Sequence, residues 1–257
     1  MNSRRWSVIC AFALVAVGVG LLPLAVSHVQ EMARDSTCRG KQSQMRFALH
    51  LYHEAHGHFP SAYVAGPDGT PWHSWRVEIL PYMEHQHIYE RYRFDEPWNG
   101  PNNRLLAGQV RFQIFQCPSN AQFNVGQHTN IVVIVGEETA FPGSKTTKLS
   151  DFREGGGNTI LLAEYRNLDI HWMEPRDLHI GEMSLRFNDP TKPSISGPHS
   201  RGPAVVFGDS IHAYRLRQPL SESVLYELTR TNGDERVQRK SLVRPNTNYG
   251  TYLSEQE

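Results

Sequence analysis

The chain has 257 residues, with 26 Lys+Arg against 26 Asp+Glu and a formal net charge of zero. A neutral chain without a basic run offers no face that neutralises phosphates, which argues against a nucleic-acid partner. The length suits one large domain or two small ones, and 39% hydrophobic residues with 20 Gly, 16 Pro and 13 His describe a loop-rich globular part behind an apolar start.

That start comes first in the chain. Arg4 and Arg5 precede Trp6–Val26, a stretch with no charged residue, about the ~20 residues a helix needs to cross a ~30 Å hydrocarbon core. The pattern predicts a cytoplasmic N-terminus at 1–5, a transmembrane helix at 6–26, an extracytoplasmic domain at 27–235 and a polar tail at 236–257. A cleaved secretory signal is the alternative, since Ala25-Val26-Ser27 would suit a small-residue cleavage site; the usual apolar region of such signals is ~7–15 residues, shorter than this one. Arg34, Arg39 and Lys41 follow the run as Arg4 and Arg5 precede it, so basic residues alone do not orient it.

Past Val26 only Gly40 interrupts the chain before Gly57. Met45, Ala48, Leu49, Tyr52 and Ala55 recur at steps of three and four, predicting one apolar face on a single helix from about Arg4 to His56. Ser74 is a candidate cap for a short helix through Leu80, stopped by Pro81. Glu84–Tyr92 and a segment opening at Pro101 predict two more short helices. Val110–Phe115 alternates apolar with polar and predicts a strand. Ile131–Val135 and Thr159–Ala163 suit buried strands. Ala204–Phe207 and Ile211–Leu216 flank Gly208-Asp209-Ser210, which predicts a hairpin. Ser221–Thr231 predicts a last helix ending near Gly233, and the tail from Arg236 predicts a loose, polar end. A long helix followed by strands is an α+β arrangement whose sheet must cover the second half of the helix.

Several strings resemble one bacterial family. They include Leu21-Leu22-Pro23, Cys38, the run from Ala48 to Pro60, His73-Ser74-Trp75-Arg76-Val77, Cys117-Pro118-Ser119 and Trp172-Met173-Glu174-Pro175-Arg176-Asp177-Leu178. His199 and Asp209, separated by nine residues, complete the likeness. The chain resembles a pseudopilin-like family of unknown function known for an H-X9-D-G motif. The resemblance implies a type IV pilin-like fold: a long N-terminal helix, its first half transmembrane, packed on a mainly antiparallel sheet. It implies a non-enzymatic envelope protein in the inner membrane, crossing it once, with membrane lipid and pseudopilin or other envelope proteins as partners. The family's prepilin signal, a Gly before Phe-Thr-Leu, has no counterpart near Trp6, and Ser210 stands where the motif has Gly. A membrane-tethered ligand-binding module outside any filament is the alternative, and a His-dependent hydrolase is a third reading.

The fold so implied lays the region of Cys117 against the helix at Cys38, so the two are a possible disulfide. Two separate buried thiols are the competing reading. Cys10 lies in the apolar run.

No cofactor, metal or catalytic residue is expected. His50, His53 and His56 step by three, whereas a zinc pair on a helix wants i and i+4. His199 and Asp209 have no nucleophile elbow beside them, so turn chemistry accounts for the pair. Gly155-Gly156-Gly157 lacks the Lys-Ser/Thr of a phosphate loop. Trp172, Glu174, Pro175, Arg176 and Asp177 suit either a partner-binding loop or a buried Trp anchor with a local Arg–acid pair.

Overall fold

In the computed structural model a helix runs from Ser3 to His56 (α1), with Pro23 inside it. The structure describes residues 3–120, 126–166, 169–234, 236–237 and 239–243, apart from the side chains at 3–22, 24–25, 154–155 and 240. The predicted membrane span at 6–26 therefore lies largely outside the described side chains. Among the described residues no helix is long and apolar enough to cross a membrane.

The second half of α1 buries Cys38, Met45, Ala48, Leu49 and Tyr52 on one face, as three- and four-residue spacing dictates. Polar Asp35, Arg39 and Gln42 lie buried on the same face. Ala55 is exposed, because α1 ends one residue on and Gly57 turns the chain away at φ 76°.

A two-stranded hairpin follows, β1 (Tyr63–Ala65) and β2 (Pro71–Ser74), antiparallel with Tyr63 opposite Ser74. The Ser74 side chain caps α2 (Trp75–Glu78) by accepting from the Arg76 N–H. Pro81 does not stop the chain there. It sits in the first turn of a 3₁₀ helix, Leu80–Met83, where its missing N–H leaves no bond unmade. Next come α3 (Gln86–Tyr89), shorter than predicted, and α4 (Pro101–Gln109).

The strand predicted at Val110–Phe115 is absent. Val110 and Phe112 are buried and Arg111 is exposed, so the alternation is real, but among the described residues no strand pairs with this backbone. Gln113–Phe115 closes a 3₁₀ turn instead, and Lys41 Nζ on α1 donates to the Gln113 and Gln116 carbonyls at 2.5 and 2.8 Å. Cys117 thus follows a turn, not a strand.

The main sheet has four antiparallel strands in the order β3 (Ile131–Val132), β5 (Ile160–Glu164), β7 (Ala204–Phe207), β8 (Tyr214–Arg215). A second pair, β4 (Ile134–Val135) and β6 (Leu178–His179), runs parallel. The apolar run at Ile131–Val135 splits at Val133, whose N–H donates to Asp177 Oδ1 at 2.9 Å. Each face of the sheet is covered. Ala204 and Val206 of β7 join the core beneath α1, while Val205 and Phe207 join a core capped by Leu225 and Leu228 of α5 (Glu222–Thr229). Burying such side chains stabilises by roughly 1.5–3 kcal/mol each.

The hairpin of β7 and β8 pairs Ala204 with Arg215 and Val205 with Tyr214. Its connection is longer than predicted, since strand pairing begins at Tyr214 and not Ile211. Ser210 is not at a positive φ; its hydroxyl holds the turn by accepting from the Phe207 N–H and donating to the Phe207 carbonyl, both at 3.0 Å. Gly233 does not cap α5, which ends four residues earlier with its Arg230 N–H bonded to the Glu227 carbonyl. Within the predicted tail the described residues include α6 (Arg239–Leu242), whose Leu242 carbonyl accepts from the Arg217 N–H at 2.7 Å; 244–257 lie outside the described residues.

Candidate functional site

Successive turns of α1 place Glu31, Asp35, Cys38 and Arg39 toward the sheet, as steps of four and three require. Four chain-distant residues meet them. Cys117 arrives after the 3₁₀ turn, Glu164 ends β5, His199 lies on the loop before β7, and Arg215 ends β8.

Cys38 and Cys117 are bonded, with Cα atoms 4.9 Å apart and both residues 1% exposed. His199 faces this bond, its Nε2 3.3 Å from each sulfur. Its Nδ1 lies 2.6 Å from Glu31 Oε1. Burial pushes the Glu31 carboxyl up, but bonds from His199 and Arg34 outweigh it and leave Glu31 below its ordinary range.

Arg215 bridges two carboxylates in the same cluster. Its Nε donates to Asp35 Oδ1 at 2.8 Å and its Nη1 to Glu164 Oε2 at 3.0 Å. Asp35 also pairs with Arg39 at 3.3 Å. Glu164 is fully buried; its Oε2 accepts from the Ala204 N–H at 2.7 Å, while Oε1 has no hydrogen-bond partner. Burying such charges is tolerated only because each cation meets a carboxylate at hydrogen-bond distance.

One donor atom from each of Cys38, Cys117, Glu164 and His199 lies within 4.8 Å of the other three, and all four residues are buried. Among the described residues this is a group with the composition and spacing to hold a metal ion. The helix histidines are spent on backbone. His50 Nε2 bonds the Gly208 carbonyl at 2.8 Å, and His53 Nε2 accepts from the Leu149 N–H at 3.1 Å.

Residues 27–140 match the model of a family described as a protein of unknown function (DUF1559). No curated protein and no solved structure matches the chain. The matched stretch carries the α1 side of the cluster and Cys117; Glu164, His199 and Arg215 lie beyond it.

The two motif histidine and aspartate residues part company. Asp209 is exposed and pairs with Arg239, with Nη2 to Oδ2 at 3.3 Å. The Trp172 segment also divides. Trp172 is fully buried, stacked on Phe115 with ring centres 6.0 Å apart. Arg176 pairs outward with Glu174 at 2.8 Å and Asp169 at 3.0 Å, and Pro175 is half-buried between them. Asp177 reaches inward to Arg76, Nη2 to Oδ1 at 2.6 Å, where both side chains are nearly inaccessible and Trp75 Nε1 donates at 3.2 Å.

Glu31, Asp35, Glu164 and Arg215 were missed by sequence reasoning. The one available signal was charge on the apolar stripe of α1, where Asp35 and Arg39 occupy positions the helical period assigns to the core.

Beside the cluster, the outer flank of α1 forms one wall of a cleft of about 840 Å³. Arg39 and Arg46 bring positive charge to its wall beside Glu84, and Phe47 and Ile211, 58% and 70% exposed, form apolar edges.

Proposed function

We propose that the chain is a non-enzymatic, pseudopilin-like envelope protein, anchored by a single helix in the inner membrane, with its domain on the outer side in a structural or interaction role. The observation that carries this reading is the bond between Cys38 and Cys117. It ties the domain to α1 just beyond the uncharged run Trp6–Val26. A buried disulfide belongs with an oxidising compartment, and a helix continuous from Ser3 places the bond a few turns from the apolar run. The type IV pilin-like reading draws support from this helix-on-sheet arrangement. The structural reading of His199 draws support from its partners, Glu31 and the two sulfurs, none of which is a nucleophilic hydroxyl.

A C-terminal fusion to a phosphatase that matures only after export tests the placement. The proposal expects phosphatase activity in intact cells. An inactive fusion, with a cytoplasmic fluorescent fusion bright in its place, overturns it.

The cleft favours a second reading, a tethered binding module. Its cations and apolar edges suit a ligand that joins an anionic group to an apolar one, such as an acidic peptide with an aromatic side chain. Such a peptide should bind saturably, with at least tenfold weaker binding to Arg46→Ala; unsaturable binding removes this reading.

A further inference from the structure

We infer that Cys38, Cys117, His199 and Glu164 form a zinc site in the chain folded with both thiols reduced, so that one cluster serves either a disulfide or a metal ion. The inference stands apart from the envelope reading, since it concerns the reduced chain wherever it resides.

Three observations carry it. The donor set is two thiols, one imidazole and one carboxylate, each a ligand type that zinc takes, and four of them suit a tetrahedral site. All four donor atoms lie within 4.8 Å of one another. Zinc–sulfur bonds of ~2.3 Å and zinc–nitrogen bonds of ~2.0–2.1 Å put tetrahedral sulfur–nitrogen edges near ~3.6 Å; the observed separations are 3.3 Å. To take the ion the two sulfurs must move apart and the Glu164 carboxylate must close in, since the four donors spread over as much as 4.8 Å.

Orientation supplies the second argument. Nδ1 lies 2.6 Å from Glu31 Oε1, which leaves Nε2 as the ring nitrogen turned toward the sulfurs. A carboxylate on the outer nitrogen is how metal-bound histidines are aligned.

Glu164 supplies the third. Arg215 and the Ala204 N–H hold Oε2, while Oε1 is buried without a partner. A buried carboxylate oxygen without a hydrogen bond costs stability, and a cation bound at it removes that cost. Binding is balanced by protons alone: Zn²⁺ enters, two thiol protons leave, and the carboxylate and imidazole bind as they are.

The test uses the full chain in detergent, reduced while unfolded by a phosphine, which takes up the disulfide's oxidising equivalents as phosphine oxide. It is then refolded with cobalt(II) as a spectroscopic stand-in for zinc. One cobalt per chain should bind, with thiolate-to-cobalt charge-transfer absorption that one equivalent of zinc abolishes. Cys38→Ser with Cys117→Ser should remove the absorption. His199→Ala and Glu164→Gln should each weaken binding at least tenfold. Glu164→Gln risks the fold through Arg215, so Glu31→Gln serves as the second variant; its side chain is 37% exposed and its loss should weaken binding about 10–100-fold. Refolding of the reduced chain on zinc alone also supports the site. A reduced chain that stays unfolded with stoichiometric zinc overturns it. So does absent charge-transfer absorption, or affinity that none of His199→Ala, Glu164→Gln and Glu31→Gln changes.

Discussion

His199 Nδ1 lies 2.6 Å from Glu31 Oε1, although 168 residues separate them. The contact pins the loop before β7 to α1 at the level where the helix enters the domain. His199→Ala removes the bond, leaves the Glu31 carboxylate without its histidine and opens space beside the disulfide. It should cost about 1–3 kcal/mol in denaturant unfolding. Asp209→Ala should cost under about 1 kcal/mol, because its partner Arg239 meets it at the surface. Equal losses for the two variants would contradict this division of the motif.

The Cys38–Cys117 bond closes a separation of 79 residues. In the chain-entropy account such a loop stabilises by about 4.5 kcal/mol. Replacing both cysteines with serine, measured in a metal-free buffer, should lower the denaturant midpoint and steepen the slope, because the unfolded chain is no longer cross-linked. An unchanged midpoint would show that other contacts already hold α1 to the sheet.

Arg76 and Asp177 form a buried pair that also satisfies the Val133 N–H and the Ile131 carbonyl. Arg76→Met strands the carboxylate in the core and should cost about 3–5 kcal/mol. Arg76→Met combined with Asp177→Leu should cost less than the sum of the two single changes, since neither charge is then left alone. Strict additivity in the cycle would argue against coupling.

His171 lies against Trp98, with ring centres 5.6 Å apart. Burial, with positive charge from His128 and Arg111 nearby, pushes its pKa down from 6.5 to about 4. The folded chain therefore resists a proton that the unfolded chain accepts. Its contribution to stability is complete above about pH 6.5 and is lost as pH falls toward 4, at up to about 1.4 kcal/mol per pH unit. Burial lowers His50, His73 and His85 in the same direction. His171→Gln should flatten the acid limb of the stability profile, and a profile parallel to that of the parent chain would reject this assignment.

Local patterns in the sequence were legible where a local rule governs. The three- and four-residue spacing of Met45, Ala48, Leu49 and Tyr52 marks the buried face of α1, and the Ser74 and Ser221 hydroxyls cap the helices they precede. Long-range pairing was not legible. Val110–Phe115 has the alternation of a strand, yet Lys41 from α1 takes carbonyls that a strand would have offered to a neighbour. Nothing local ties Asp177 to Arg76 or Glu164 to Arg215, because each partner stands on a different element. Histidine spacing along α1 drew attention to the wrong rings: His199, far along the chain, is the one that reaches the cysteines.

The central claim is a domain held outside the membrane and bonded to its own anchor helix. Thiol counting on membranes tests it most directly. Cells are quenched in acid, the membranes are washed with carbonate, and the chain is denatured without reductant and treated with a maleimide polymer that adds one mass step per free thiol. The account predicts a chain retained in the membrane with a single label, on Cys10. Release into the wash, or labels on Cys10, Cys38 and Cys117 together, would contradict it.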